Sequence, residues 1–223
     1  MNAGEENIID ILFDDDVKEK SLNMLIKLEP TYFFKHMKEK PEDMGILLLS
    51  KMLHQGQVDK SGVDYMVHLI HSADIALKIK EQYEVENDVS LDSSTLVRTL
   101  LLHDSLEDEI PEKNVERFNK TVEDLFIEHN VSDKVVESVK DMSRDKEERY
   151  SDFIERIRRK NNPYSVLGKT SDILSNTHPD RKQKKDIKPS LEKRYTKALK
   201  VLGYENKKQE KPKRKTENLS FNN

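Results

Sequence analysis

Apolar residues recur at three- and four-residue intervals along most of the chain, and no stretch alternates apolar and polar positions long enough to suggest a sheet. The spacing predicts helices over 41–54, 64–83, 93–107, 121–129, 132–142, 146–160, 163–177 and 190–202. Two shorter amphipathic segments come first, one with Ile8, Ile9, Leu12 and Phe13, the next with Leu22, Leu25, Ile26 and Leu28. Tyr32, Phe33 and Phe34 then follow Pro30. Only 6 glycines and 7 prolines interrupt the whole pattern. The predicted fold class is all-α, a helical bundle over 41–203 with a helical N-terminal extension over 1–40. Residues 204–223 are charged and nearly devoid of apolar side chains, so they are expected to form a disordered tail that cannot offset its ordering entropy.

The first chemical signal breaks this pattern at its most apolar point. The stretch HDSLED, 103–108, follows the run TLVRTLLL. At about 100° per residue, Leu96, Val97, Leu100 and Leu101 share an arc on which His103, Asp104, Glu107 and Asp108 also fall, within about 140° of one another. Carboxylates turned toward a core cost several kcal/mol each unless cations or donors meet them, and a divalent metal beside a solvent-filled pocket does so. The other reading is a helix that ends at Asp104 with a solvated acidic exit before Pro111. On these six residues alone the two readings stand level.

A His–Asp pair supplies two ligands, whereas nitrogen and oxygen sites for manganese or iron usually take five or six. Further ligands must come from other helices. His68 and His71 lie on 64–83, and Asp172 lies one turn before Asn176 on 163–177. Taken singly, each is more often a packed or solvated residue than a ligand, and Asp172 could equally be an exposed partner of Lys169 three residues earlier.

Composition narrows the chemistry. With 223 residues, 35% hydrophobic and 37% charged, the chain can bury one sizeable core. Its 39 basic and 43 acidic residues give a net charge of -4, so no whole-chain field draws it to nucleic acid or an anionic membrane. The absence of cysteine removes disulfides, thiolate zinc sites and thiol nucleophiles, leaving His, Asp and Glu to hold any metal. No apolar stretch approaches the ~20 residues of a membrane span, and MNAGEENIID is not a secretory signal. A soluble cytoplasmic protein without a membrane partner is expected. The tail segment KKQEKPKRKTE is interrupted by glutamate and lacks interleaved aromatics, so nucleic acid is not the expected partner.

Three ordered segments carry a resemblance. MLHQGQVDKSGVDYMVHLIHSADIA, then LLHDSLED, then GKTSDILSNT resemble the HD-domain phosphohydrolases of the RelA/SpoT type, whose pattern is roughly AHxGQxxKSGxPYxxHPxxVA, LLHDxxED and VKLADxxxN. The similarity spans about residues 45–200. It implies an all-helical HD domain over 41–203, one bound Mn²⁺ (Fe²⁺ or another divalent ion being the substitute), and removal of the 3'-pyrophosphate from (p)ppGpp-like alarmones.

Carried over by position, the resemblance implies His68, His103, Asp104 and Asp172 as metal ligands, and Glu107 and Asp108 as the pair that handles the attacking water and its proton. Lys60, Ser61 and Asn176 match residues that line the nucleotide pocket. SRDKEERYSDFIERI and LEKRYTKALKVL resemble later family segments and suggest Arg144 and Tyr150, with Lys146 and Arg181, as phosphate contacts. His54 is expected to be structural and His71 to pack behind the ligands. Asp59 stands where an arginine that stacks on guanine usually precedes the Lys-Ser pair, while Asp64 and Leu69 replace two prolines. These departures leave the hydrolytic centre whole and alter the base-recognition side. They keep open a related substrate, such as NADPH at its 2'-phosphate, ppApp or a deoxynucleoside monophosphate. They also keep open a nucleotide-binding module without catalysis.

Overall fold

The computed structural model describes residues 12–13, 15–59, 62–107, 109–181 and 189–204. Among these the chain is all-helical: α1 (Lys18–Leu28), α2 (Thr31–Glu39), a 3-10 turn (Pro41–Asp43), α3 (Met44–Leu53), α4 (Met66–Asn87), α5 (Ser93–Leu102), α6 (Glu109–Glu116), α7 (Val122–Glu128), α8 (Asp133–Met142), α9 (Tyr150–Lys160), α10 (Pro163–Thr177) and α11 (Pro189–Val201). An isolated antiparallel bridge joins Val58 and Asp64. Among the described residues, no helix is long and apolar enough to cross a membrane.

Local chemistry starts several of these helices. Asp92 caps α5 by accepting the Thr95 N–H at 2.7 Å. Thr121 and Asp124 form a reciprocal capping box on α7. Asn162 accepts the Tyr164 N–H at the head of α10, where Pro163 occupies the first turn.

The centre of the bundle is α4, packed against α10, α5 and α2. Its first eleven residues are almost all buried, polar and apolar alike, so this end is enclosed on every side. Against it, α10 also packs on α5 and α8. Gly168 permits that approach, since a Cβ there would meet Met142 Sδ at 2.7 Å and Leu100 Cδ2 at 3.6 Å. Asp172, one turn farther along α10, is thereby brought toward the end of α5. A second apolar cluster joins α9, α10 and α11 through Phe153, Ile157, Val166, Ile173, Ala198 and Leu202.

In the 1–40 segment, α1 and α2 share the main core through Leu25, Leu28, Phe33 and Met37. The Phe33 N–H donates to Asp74 Oδ1 of α4 at 2.9 Å. Burial pushes the Asp74 carboxyl up to about 6 from an ordinary 3.8, against the hydrogen bonds from Phe33 and Tyr32. An acid raised in the folded state contributes most when protonated, below pH about 4, and that contribution is lost as pH rises through 6. Asp74→Asn should therefore exceed wild-type stability by up to about 2 kcal/mol at pH 7.5, with the difference gone near pH 4. Urea denaturation at the two pH values checks this.

Three elements differ from the sequence expectation. The helix expected over 93–107 ends at Leu102, and 103–107 form turns. The Ser105 hydroxyl captures the Leu102 carbonyl at 2.5 Å, taking the acceptor that a continuing helix needs, and the Ser105 N–H closes a four-residue turn on the same oxygen. The unexpected α6 has Pro111 as its third residue, which a first turn tolerates because its N–H groups have no intrahelical acceptors. The expected start of α9 at 146 moves to Tyr150, because Arg156 pins the preceding loop through the Asp141 and Ser143 carbonyls and the Glu148 carboxylate.

Candidate metal centre

Three helices bring the four expected ligands together. His68 is in the first turn of α4, His103 and Asp104 follow the last residue of α5, and Asp172 is on α10. His68 Nε2 lies 3.2 Å from Asp172 Oδ1 and 3.6 Å from Asp104 Oδ2. His103 Nε2 lies 3.1 Å from Asp104 Oδ2 and 3.7 Å from Asp172 Oδ1. Ligand atoms of His68, His103 and Asp104 all fall within 4.8 Å of one another, a group that could hold a metal ion. Asp172 Oδ1 closes the fourth side. His68, His103 and Asp172 are buried, while Asp104 retains partial exposure toward solvent.

Each of the four is oriented from behind. His103 Nδ1 is 2.8 Å from the Leu100 carbonyl, which only an N–H can satisfy, so Nε2 is the nitrogen that faces the cluster. That Nε2 is buried, and among the described residues its polar neighbours are the Asp104 and Asp172 carboxylates. His68 Nδ1 faces Ser175 Oγ at 3.2 Å and Ser72 Oγ at 3.4 Å. The Tyr65 hydroxyl donates to Asp104 Oδ2 at 2.6 Å, and the Asn176 amide donates to Asp172 Oδ1 at 2.6 Å. Lys169 Nζ sits 2.9 Å from Asp172 Oδ2. A buried imidazole nitrogen aimed between two ionised carboxylates fits a divalent cation: two imidazole nitrogens, once deprotonated, and two anionic oxygens form a hard-to-borderline set without sulfur.

The charges agree with this geometry. Burial acts to raise Asp104 and Asp172, but His103 beside the first and Lys169 beside the second outweigh it and hold both well below the usual carboxylate range. Burial would lower His103, and the two carboxylates override it, raising the imidazole to about 10. Lys169 is likewise buried yet raised by Asp172 and Asp104. Without a metal the imidazole proton stands in for the cation, and metal binding must release it. Lys169→Met removes the buried charge that anchors Asp172 and should weaken divalent-metal binding by about 10–100-fold, read by equilibrium dialysis, with helical circular dichroism unchanged.

The remaining expected residues divide into groups. Glu107 is part-exposed beside the cluster, with Oε2 accepting the Arg144 N–H at 3.2 Å and Oε1 3.9 Å from Arg144 Nε. Burial raises its carboxyl, against Lys169 and the Arg144 N–H. Arg144, expected to contact phosphate, is tied to Glu107 and to the Glu148 carbonyl. Asn176, expected to line a pocket, bonds to Asp172 instead. Tyr150 has a buried hydroxyl without a hydrogen-bond partner among the described residues, pushed up to about 12 by burial. Lys60, Ser61 and Asp108 lie outside the described residues, as does the tail from 205.

His54 stacks on Tyr65 at 5.2 Å and bonds to Gln57, and burial lowers it to about 4. His71 meets Ser175 Oγ at 3.0 Å, one step behind His68, and burial lowers it to about 3. Arg181 donates to Ser175 Oγ at 2.8 Å and reaches Asp59 Oδ2 at 3.4 Å. The exposed Lys169–Asp172 pair weighed from sequence is buried, because α10 packs between α4 and α5. Tyr65 and Ser175 escaped notice. Tyr65, three residues before His68, carried a usable spacing signal, whereas Ser175 acts only through the packing of α10 on α4. A scan against protein-family models and a search of curated proteins find no match to this chain.

Proposed function

We propose that the protein is a metal-dependent phosphohydrolase of nucleotides, with Mn²⁺ held by His68, His103, Asp104 and Asp172, that removes the 3'-pyrophosphate from (p)ppGpp-like alarmones. The supporting observation is the convergence of those four side chains, from α4, the turn after α5 and α10, around a buried imidazole nitrogen that faces two carboxylates. The ordered resemblance of HDSLED and its flanking motifs supports the substrate class. A bound divalent ion supplies Lewis-acid polarisation of a phosphoryl oxygen and activation of water. Glu107, with its carboxyl raised by burial, suits a group that accepts a proton from that water. The water oxygen bonds to phosphorus, the bond from phosphorus to the ribose 3' oxygen breaks, and the proton passes to that leaving oxygen. Arg144, beside Glu107, and Lys60 from the Lys-Ser pair offset the phosphate charge.

One observation favours a second reading, the same chemistry on another phosphorylated nucleotide such as NADPH, ppApp or a deoxynucleoside monophosphate. Asp59 faces the Arg181 guanidinium, so the position where the family carries a stacking arginine is acidic and already engaged. The test is incubation with Mn²⁺ and each of ppGpp, pppGpp, ppApp, NADPH and deoxynucleoside monophosphates, with products resolved by ion exchange. Pyrophosphate released from ppGpp is the expected result. Turnover of another nucleotide alone moves the substrate, and a fully metal-loaded protein inert toward all of them leaves a nucleotide-binding module as the reading.

A further inference from the structure

We propose that α1, from the N-terminal extension, is a working part of the metal centre, with Ser21 and Asp64 as positioning residues that fix the head of α4 and hence the seats of Tyr65 and His68. The inference rests on the metal-dependent reading above and gives the extension a place in it.

Asp64 is the joint, buried and with every polar atom engaged. Its Oδ1 accepts the Met66 N–H at 2.9 Å and its carbonyl accepts the Val67 N–H at 3.1 Å, which ties down two of the donors that the first turn of a helix leaves without intrahelical acceptors. Its Oδ2 lies 3.2 Å from Lys51 Nζ of α3, so the buried carboxylate has its cation. Its own N–H donates to Ser21 Oγ of α1 at 3.0 Å. Helices α1, α3 and α4 therefore meet at one residue.

Ser21 suits this joint by its chemistry. Its hydroxyl hydrogen goes to the Val17 carbonyl at 2.8 Å, so what it offers Asp64 is a lone pair, and position 64 must supply an N–H. Proline, which the resembled pattern carries there, has none. The acid at 64 and the packing of α1 on α4 are thus one feature, a joint to the extension that proline could not make. The same helix lies against the loop before Asp64, since a Cβ at Gly62 would meet Lys20 Nζ at 3.0 Å.

From Asp64 the path to the cluster is short. Tyr65, the next residue, stands at the N-cap of α4. Its hydroxyl holds Asp104 Oδ2 at 2.6 Å and its carbonyl accepts the His68 N–H at 2.9 Å. A shift of this turn moves both the hydroxyl that orients one expected ligand and the backbone that carries another. Residues that orient ligands from behind change metal affinity by about 10–100-fold.

The test uses the full chain and reads the Mn²⁺ dissociation constant by electron paramagnetic resonance, the visible spectrum of bound Co²⁺ as a report of coordination geometry, and Tm by circular dichroism. Ser21→Ala should weaken Mn²⁺ by about tenfold and alter the Co²⁺ bands. Leu125→Ala, in the core on α7, is the control that should lower Tm while both metal readings stay at wild type. Once Asp64→Pro has removed the N–H, adding Ser21→Ala should weaken Mn²⁺ no further, and the single Ser21→Ala variant decides alone if the proline chain does not fold. A Ser21→Ala chain that loses Tm but keeps wild-type Mn²⁺ affinity and Co²⁺ bands overturns the joint, as do fully additive losses in the double variant. A wild-type chain that binds no divalent ion overturns the metal-dependent reading itself, and this inference with it.

Discussion

On the proposed phosphohydrolase reading, Asp104→Ala should abolish stoichiometric Mn²⁺ binding and lower hydrolysis by at least about 10³-fold, the size expected when an ion that stabilises several kcal/mol of developing charge is lost. Asp104 is the carboxylate closest to His103 Nε2, at 3.1 Å, and also faces His68 Nε2. Removing it takes away one of two anions in a four-group cluster and frees the Tyr65 hydroxyl that oriented it. Asp104→Asn separates charge from shape, because an amide oxygen still accepts from Tyr65 but carries no charge. It should lose metal nearly as fully as the alanine variant. Metal content after dialysis, together with initial rates, decides the matter, and retention of both in either variant would remove Asp104 from the centre.

Asp43→Ala is expected to destabilise the fold by about 3–5 kcal/mol, the range for breaking one partner out of a buried ionic network. Asp43 is fully buried before α3. Its Oδ2 lies 2.6 Å from His36 Nε2 of α2, and its Oδ1 accepts from Arg98 Nε of α5 at 2.6 Å. Alanine leaves a guanidinium and an imidazole in a cavity with no counterpart. At roughly 2–4 °C per kcal/mol for a chain of this size, Tm should fall by about 10 °C. Burial alone would raise the Asp43 carboxyl, but the hydrogen bonds from His36, Ser94 and Arg98 win and hold it below its ordinary 3.8. The stabilisation is therefore present above pH about 4 and is lost as pH falls through the lowered value. Urea denaturation should show the full wild-type advantage at pH 7 and a shrinking one below pH 3.

The helical class and the positions of most helices were legible because three- and four-residue spacing is a local signal, and α10 and α8 fall where the periodicity places them. The end of α5 was not, because it is decided by one Ser105 hydroxyl taking the Leu102 carbonyl. Its consequence is chemical. His103 and Asp104 sit in a turn, where an imidazole can bond back to the Leu100 carbonyl and leave Nε2 free. Proximity of His68 and Asp172 to that turn came from matched motifs, since spacing alone left each no better than a packed residue. Lys169 was visible as a partner of Asp172 but not as a buried one, because its burial comes from the packing of α10 against α4 and α5. Arg144 and Asn176 were singled out by their match to family segments, and their actual partners, Glu107 and Asp172, follow only from tertiary placement.

The wide separation of the four ligands along the chain bears on how the protein is made. A nascent chain emerging from the ribosome presents His68, then His103 and Asp104, well before Asp172. The carboxylate that closes the cluster arrives on α10, the helix that Gly168 lets settle against α5 and α8. If the cluster takes up a metal as proposed, loading belongs to the end of synthesis, and an incomplete chain released before Asp172 lacks the closing carboxylate. An ion seated in the proposed site would staple early and late segments together, and its removal by a chelator should then speed global unfolding rather than loosen one loop.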